Sequence, residues 1–366
     1  MRILFVCRNF HDMAGGIERM ATWIMNEMNK KGHQVCLITW DKEDAVPHYE
    51  ISKNILWNKL DIGNPNYKAT WIERIKRQRK IRRFSKNFSP DVVITFQIGA
   101  FLATRLAVIG FNYPVIAAER NSTDIYKHIR NGLFHQLIRD FFLFFSKHIT
   151  VQLPSYVDNY PFYLRSRISV IPNPAIYTQE TDKHTELKSQ EKYILCLGRL
   201  SYQKNLEFLL RSYALISSKY SDWCLAIVGD GEYAEKLIAL KDELSLGKRC
   251  RFFEQTKNVS KWYNKSEFIV LPSLWEGFPN VLLEAFSHCL PAIGLKSTSG
   301  VNELIVHGEN GLLSETDEKI FAKSMELLMI NKKIRMNMGK AASLSTGKYK
   351  ISNISNLWEE LFLNLS

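Results

Sequence analysis

Apolar residues fall along this chain in short runs separated by longer stretches of helical spacing. Ile3-Leu4-Phe5-Val6 reads as a buried strand, and a loop at residues 8–16 ends in Gly15-Gly16. Residues 17–31 then set Ile17, Met20, Ala21, Ile24 and Met28 on one helical face. Val35-Cys36-Leu37-Ile38, Val92-Val93-Ile94-Thr95 and Val115-Ile116-Ala117-Ala118 repeat the strand pattern. Ile149-Thr150-Val151 and Ser169-Val170-Ile171 are the last strands of this half. A helical segment between them, at about 128–147, holds Phe141-Phe142-Leu143-Phe144-Phe145, most of which is expected to be core, with membrane contact as the lesser alternative. Strand alternating with helix predicts a parallel, doubly wound α/β sheet.

Pro172-Asn173-Pro174 breaks the alternation, and the polar stretch Thr178 to Glu191 follows. The domain boundary belongs there, with a first domain at 1–173 and a second at 174–349. The second half restarts with the strand Tyr193-Ile194-Leu195-Cys196-Leu197 and a helix at about 205–219. Trp223 to Val228 is the next strand and runs into Gly229-Asp230-Gly231. Arg251-Phe252-Phe253, Phe268-Ile269-Val270-Leu271, Ala292-Ile293-Gly294 and the turn and short strand of Gly308 to Leu313 follow, then a helix from Lys319. The last segment, 350–366, has Ile351, Ile354, Leu357, Trp358, Leu361 and Phe362 at helical spacing and is expected to pack back on the first domain. The economical architecture is two Rossmann-like domains in tandem facing a central cleft, with ligand between them.

Length agrees, since 366 residues suit about two domains. The chain has no uncharged apolar run of about 18 residues or more, so no spanning helix is expected. Charge soon interrupts MRILFVCRNF, which therefore reads as a first strand rather than a signal peptide. Six cysteines lie scattered with no C-x-x-C pair, so neither a zinc site nor a disulfide framework is indicated. A reduced, cytoplasmic protein is expected.

The net charge is +12 and is unevenly placed. Residues 1–175 carry 25 Lys and Arg against 14 Asp and Glu, so nearly all the excess lies there. Its densest part is segment 74–86, with Arg74, Lys76, Arg77, Arg79, Lys80, Arg82, Arg83 and Lys86. Such a stretch is a solvated helix face, a nucleic-acid contact or a membrane-surface contact. An anionic membrane is weighted highest and nucleic acid is not expected, because Trp71, Ile72, Ile75, Ile81 and Phe84 interleave with the cations. Those side chains either dip into the interface or pack on the core.

The stretch with the most chemistry is Pro272 to Pro291, PSLWEGFPNVLLEAFSHCLP. It reads strand, loop, helix, with Glu276 in the loop and Glu284 on the helix. Both carboxylates can face one crevice at the carboxyl end of the strand, where sugar or ribose hydroxyls would bond to them. The loop and helix start, Gly277, Phe278, Asn280 and Val281, bring free N–H groups and a positive dipole end that suit a diphosphate. Arg199 and Lys204, in G-R-L-S-Y-Q-K-N directly after a strand, would neutralise charge growing on a leaving nucleoside diphosphate. Gly15 and Gly16 open the first helix and permit close phosphate approach, with Glu18 and Arg19 as cap or salt-bridge residues. Glu119-Arg120-Asn121 follows a strand, and Arg120 can bind a hydroxyl or phosphate but cannot accept a proton. His11, His128 and His135 are read as structural or solvated.

The two-glutamate unit resembles the E-x7-E motif of retaining GT-B glycosyltransferases of the family-4 type. The Gly-Gly loop, I-P-N-P with Asn173, G-R-x5-K-N, G-D-G at Gly229 and N-G-L-L resemble the same family, in the same order. The resemblance implies transfer from a nucleotide-sugar with retention, no metal and no cofactor beyond the UDP-sugar donor. Glu284 would hold the ribose, Glu276 the donor sugar, and Arg199 and Lys204 the diphosphate. Phe253 to Val259 would lie along the base. Many relatives have His where Arg120 stands, so a general base there is not expected. The implied acceptor is a polyprenyl-diphosphate-linked glycan or lipopolysaccharide in bacterial surface polysaccharide assembly, at the inner face of the membrane. A nucleotide-sugar epimerase and a non-catalytic membrane-bound scaffold are the alternatives.

Overall fold

The computed structural model describes residues 1–13, 15–64, 67–175, 191–256 and 258–366. Most of the polar boundary stretch, and Lys257 in the Phe253 to Val259 loop, lie outside the described residues. The chain divides into two compact units, Met1–Asn173 with Ser352–Ser366, and Pro174–Ile351.

The first unit has strands β1 (Arg2–Val6), β2 (Gln34–Thr39), β3 (Leu56–Lys59), β4 (Val92–Phe96), β5 (Val115–Ala118), β6 (His148–Val151) and β7 (Ile168–Val170). They form one sheet in the order β3-β2-β1-β4-β5-β6-β7, and each pairing is parallel. Parallel strands covered on both faces are apolar throughout rather than alternating, which is why the short runs were readable. β3 is the exception: its residues are half exposed at a sheet edge, and Leu-Trp-Asn-Lys carries no strand signal.

On one face of this sheet Ile3, Phe5, Ile94 and Phe96 meet the helices Gly16–Lys30 and Ile351–Leu365. The second helix belongs here because Trp358 and Phe362 are fully buried, with Phe362 edge-on to Phe5 at 6.4 Å. Lys31 and His33 fix its outer side by bonding the Glu359 carboxylate. Helices Trp71–Phe88, Ile98–Ala107 and Gly132–Leu143 lead to β4, β5 and β6 in turn, a one-way progression that the right-handed crossover rule places on the opposite face.

The structure corrects one expectation on that face. Phe141, Phe144 and Phe145 are exposed, and of the five-residue aromatic run only Leu143 is fully buried.

The second unit repeats the plan with β8 (Lys192–Leu197), β9 (Trp223–Val228), β10 (Cys250–Phe253), β11 (Ser266–Leu271), β12 (Ala292–Leu295) and β13 (Gly311–Ser314). The order is β10-β9-β8-β11-β12-β13, again parallel at every pairing. Helix Leu206–Ser217 buries Leu209, Leu210 and Tyr213 in a core shared with Phe321 and Met325 of helix Glu318–Ile330.

Trp358→Ala is expected to cost about 3–5 kcal/mol, the usual loss for emptying a core aromatic site. Urea unfolding of the full chain should show the first unit's transition moving to lower urea. The second unit's transition should stay in place.

Candidate active site

In each unit the strand order reverses beside the first strand, so β1 lies between β2 and β4, and β8 between β9 and β11. Chain leaving the carboxyl ends of such a pair diverges to opposite faces of the sheet and leaves a crevice. In the second unit both loops at that position carry the charged residues singled out from the sequence.

Lys204 ends the short turn Tyr202–Lys204 after β8, and Glu276 stands in the loop after β11. Lys204 Nζ donates to Glu276 Oε1 at 2.7 Å, with the side chains only 16% and 8% exposed. Three further bonds tie the same two loops. Gln203 Nε2 donates to the Trp275 carbonyl at 2.7 Å, the Leu274 amide to the Gln203 carbonyl at 2.8 Å, and Asn205 Nδ2 to the Pro272 carbonyl at 3.2 Å. Asn205 takes φ +53°, which an Asn tolerates better than most residues, and this turns the chain into helix Leu206–Ser217.

Glu284 lies in the second turn of helix Asn280–Ser287 and is buried. Tyr263 Oη, from the short helix Ser260–Lys265, donates to Glu284 Oε2 at 2.8 Å. His288 packs on the Tyr263 ring at 5.0 Å and donates from Nδ1 to the Glu284 carbonyl at 2.8 Å. The carboxylate is therefore held by Tyr263, whose ring His288 packs against. Nothing in the sequence marked Tyr263, since an aromatic residue in a short helix before a strand carries no motif.

The remaining second-unit candidates divide. Arg199 lines one small pocket with Lys204. Its guanidinium is 3.1 Å from Glu232, in a pair whose side chains are 74% and 52% exposed. Gly277, Asn280 and Val281 are half-buried at the helix start. The Phe278 ring is a packing group, buried and edge-on to Tyr349 at 5.9 Å, which leaves only its backbone for the ligand contact expected of it. Gly229, read as lining the site, acts through its backbone instead. It adopts φ +144°, and a Cβ there would fall 2.1 Å from the Gly198 carbonyl oxygen. Only a glycine lets the loops after β8 and β9 cross at that distance.

In the first unit the loop after β1 is held by Asp41, which is buried and accepts from the amides of Phe10 at 2.8 Å and His11 at 3.2 Å. Gly15 caps helix Gly16–Lys30, and the Glu18 carboxylate folds back over it. Burial pushes the Glu18 carboxyl up, and neighbouring Asp41 adds to this. A carboxylate thus already occupies the helix end that the Gly15-Gly16 pattern offered to phosphate.

Arg120 is a further correction. It is buried, with Nη1 donating to the Ile171 carbonyl at 3.1 Å and Nη2 to Thr150 Oγ1 at 2.9 Å. The guanidinium lies 5.0 Å from the Trp358 ring centroid. Desolvation lowers its pKa to about 9, so it stays cationic at neutral pH. It ties β6 and the end of β7 to the C-terminal helix, and its donors point into the core rather than into a crevice.

The basic segment is helix Trp71–Phe88. Three of its cations are committed to loop carbonyls: Arg77 to Ile62, Lys80 to Leu60, and Arg82 to Ala107 and Ile109. Arg74, Lys76, Arg79, Arg83 and Lys86 remain exposed, beside exposed Trp71, Ile72 and Ile75, while Ile81 is buried.

Two family models match consecutive parts of the chain: Glycosyltransferase Family 4 over residues 14–175, and Glycosyl transferases group 1 over residues 178–344. The amylovoran biosynthesis glycosyltransferase AmsD of Erwinia amylovora is 24% identical, covering 95% of this chain and 96% of its own. A Campylobacter jejuni N-acetyl-D-galactosaminyltransferase, named for a diNAcBac-PP-undecaprenol acceptor, is 25% identical over 99% of this chain and 98% of its own. Sucrose-phosphate synthase of Thermosynechococcus elongatus shares the fold with a TM-score of 0.84 at 17% identity, covering 100% of this chain and 98% of that one. Anabaena HepE, solved with UDP and glucose, does so at 0.78 and 14%, covering 99% of each.

The crossing at Gly229 yields a contrast. Gly308 also has positive φ, +83°, but nothing lies within 4 Å of its Cβ position. Gly308→Ala is expected to cost about 1 kcal/mol from backbone strain alone. Gly229→Ala adds a backbone clash and is expected to cost about 3 kcal/mol or more. Chemical denaturation of both variants checks the difference.

Proposed function

The chain belongs to the GT-B glycosyltransferases of the family-4 type, and we propose that it moves a hexose or N-acetylhexosamine from a UDP-sugar to a membrane-associated glycan. The reading includes retention of configuration, no requirement for metal, and a polyprenyl-diphosphate-linked or lipopolysaccharide acceptor in bacterial surface polysaccharide biosynthesis. The observation that carries it is the buried Lys204–Glu276 pair, which joins the loops after β8 and β11 at the switch point. Relatives support the acceptor class: one is named for a diNAcBac-PP-undecaprenol-linked glycan, and another is an Escherichia coli lipopolysaccharide 1,6-galactosyltransferase.

In this reading Glu284, oriented by Tyr263, accepts hydrogen bonds from the ribose hydroxyls. Glu276 accepts from hydroxyls of the donor sugar. Lys204 faces the diphosphate and offsets the charge that builds as the bond from the anomeric carbon to the phosphate oxygen breaks. Arg199 joins it by exchanging Glu232 for the diphosphate, a small cost because an exposed ion pair is worth about 0–1 kcal/mol. The acceptor hydroxyl oxygen bonds to the anomeric carbon on the face the diphosphate leaves, and its proton passes to a diphosphate oxygen. No residue is needed as nucleophile, and Arg120 takes no part.

Among the described residues no helix is long and apolar enough to cross a membrane. The proposed location is peripheral, at the cytoplasmic face of the inner membrane. The exposed cations of segment 74–86 attract anionic lipid, at roughly 1 kcal/mol each near the surface.

Radiolabelled sugar from a panel of UDP-sugars should enter lipid extract when the protein is added. Failure with every donor would overturn the transferase reading, and conversion of donor without acceptor would make the protein an epimerase. Glu284→Ala should abolish transfer while leaving the unfolding transition unchanged. Tyr263→Phe removes one hydrogen bond of about 1 kcal/mol, so calorimetry should show UDP binding weakened roughly fivefold.

A further inference from the structure

Helix Gly132–Leu143 is built inside out. Its inward positions hold an ion pair, Arg139 and Asp140, with Arg139 Nε donating to Asp140 Oδ1 at 2.9 Å. The Arg139 guanidinium also packs over the rings of Tyr126 and Tyr160, at 5.1 and 4.4 Å. Its outward positions are Leu133, Phe134, Leu137, Ile138 and Phe141, and Leu133 is 79% exposed. Phe144 and Phe145 extend this face beyond the helix end, and Phe144 touches Tyr163, which neighbours the 83% exposed Phe162. A contiguous apolar surface of this size marks a contact site on a soluble chain.

We propose that this face inserts into the interfacial layer of an anionic bilayer, deepening the reading of a lipid-linked acceptor on which it rests. Charge selects the occupant. The outward face of the helix has no carboxylate, since Asp140 is buried. Cations frame it: exposed Arg130 precedes the helix and Lys147 follows it, while Lys127 is paired with Asp124 at 2.7 Å. Arg105 donates to the Phe145 carbonyl at 3.0 Å, and Arg167 to the Phe144 carbonyl at 3.0 Å. Aromatic and leucine side chains within a cationic rim fit the boundary between acyl chains and anionic headgroups. A second copy of the chain fits poorly, because pairing would set like-charged rims together.

The surface also continues toward the basic helix. Arg82 of helix Trp71–Phe88 bonds the Ala107 and Ile109 carbonyls, and Arg105, on the helix ending at Ala107, bonds Phe145. Exposed Leu106 and Ile109 lie on this connection. The basic helix attracts the membrane and the apolar helix anchors in it.

The full chain is co-sedimented with phosphatidylethanolamine–phosphatidylglycerol vesicles and with phosphatidylcholine vesicles, at low and high salt. The expected result is binding to the anionic vesicles with a fraction that resists salt. Leu137→Ser combined with Phe141→Ser removes the salt-resistant fraction and weakens binding about tenfold. Both positions are exposed, so thermal unfolding and UDP binding by calorimetry should not change. Equal binding by variant and wild type, fully released by salt, would assign the contact to helix 71–88 alone and overturn the proposal. A dimer in light scattering that this variant dissociates, with vesicle binding unaffected, would overturn it in favour of a second copy. Vesicle binding is read without turnover, so salt-resistant binding by a chain that transfers no sugar would sustain the anchor and count only against the proposed reaction.

Discussion

The second unit depends on one close approach. The carbonyl of Gly198 passes so near Gly229 that no side chain can stand between them, and the loops after β8 and β9 cross there. On its other side the chain after β8 meets the loop after β11 through Gln203, Lys204 and Asn205. Once the two loops meet, Lys204 and Glu276 lose most of their water and become each other's main compensation. A buried pair of this kind contributes little net stability, because desolvation offsets much of its attraction. Its effect is positional: a cation and a carboxylate are held at a strand junction, which in the proposed reaction presents a diphosphate with a charge already in place.

Much of the fold was legible because buried parallel strands are uninterrupted apolar runs, as in Val92 to Thr95 and Phe268 to Leu271. The edge strand Leu56–Lys59 was not, since only pairing with β2 makes it a strand. The limits at the site have a similar cause. The motifs pointed to Glu276, Glu284 and Lys204, and the structure pairs Lys204 with Glu276, but local spacing says nothing of a partner that tertiary packing brings in, such as Tyr263. Phe278 and Arg120 lie in stretches that look like ligand loops, and both turn inward because a large ring and a planar cation with several donors fill core positions well. Helix Gly132–Leu143 shows the converse: periodicity finds an apolar face but not the direction it points, and here Arg139 and Asp140 take the interior.

The two units share a strand order but treat their leading helix ends differently. In the first, Glu18 folds over Gly15, so the positive end of helix Gly16–Lys30 already has its anion. In the second, helix Asn280–Ser287 has no acidic residue in its first turn and no side-chain cap. Local electrostatics therefore favours an incoming diphosphate at the second helix over the first. The first unit's large cationic excess lies elsewhere, on the surface of helix Trp71–Phe88 and around the apolar face of Gly132–Leu143, where it suits an anionic surface rather than a single nucleotide.

Arg120 bears on where the acceptor's proton goes in the proposed reaction. Burial lowers its pKa and neighbouring Glu119 offsets part of that, while the Ile171 carbonyl, Thr150 Oγ1 and the Trp358 ring fix its position. A histidine at this position could not reach both oxygen partners, and it would leave β6 and the C-terminal helix without their shared tie. Selection for that tie and for a proton acceptor cannot act on the same side chain, because an arginine cannot lose its proton at working pH. A transferase with this core must therefore place the acceptor's proton elsewhere. The departing diphosphate, whose charge rises as the glycosidic bond to it breaks, becomes more basic at the moment the proton is released.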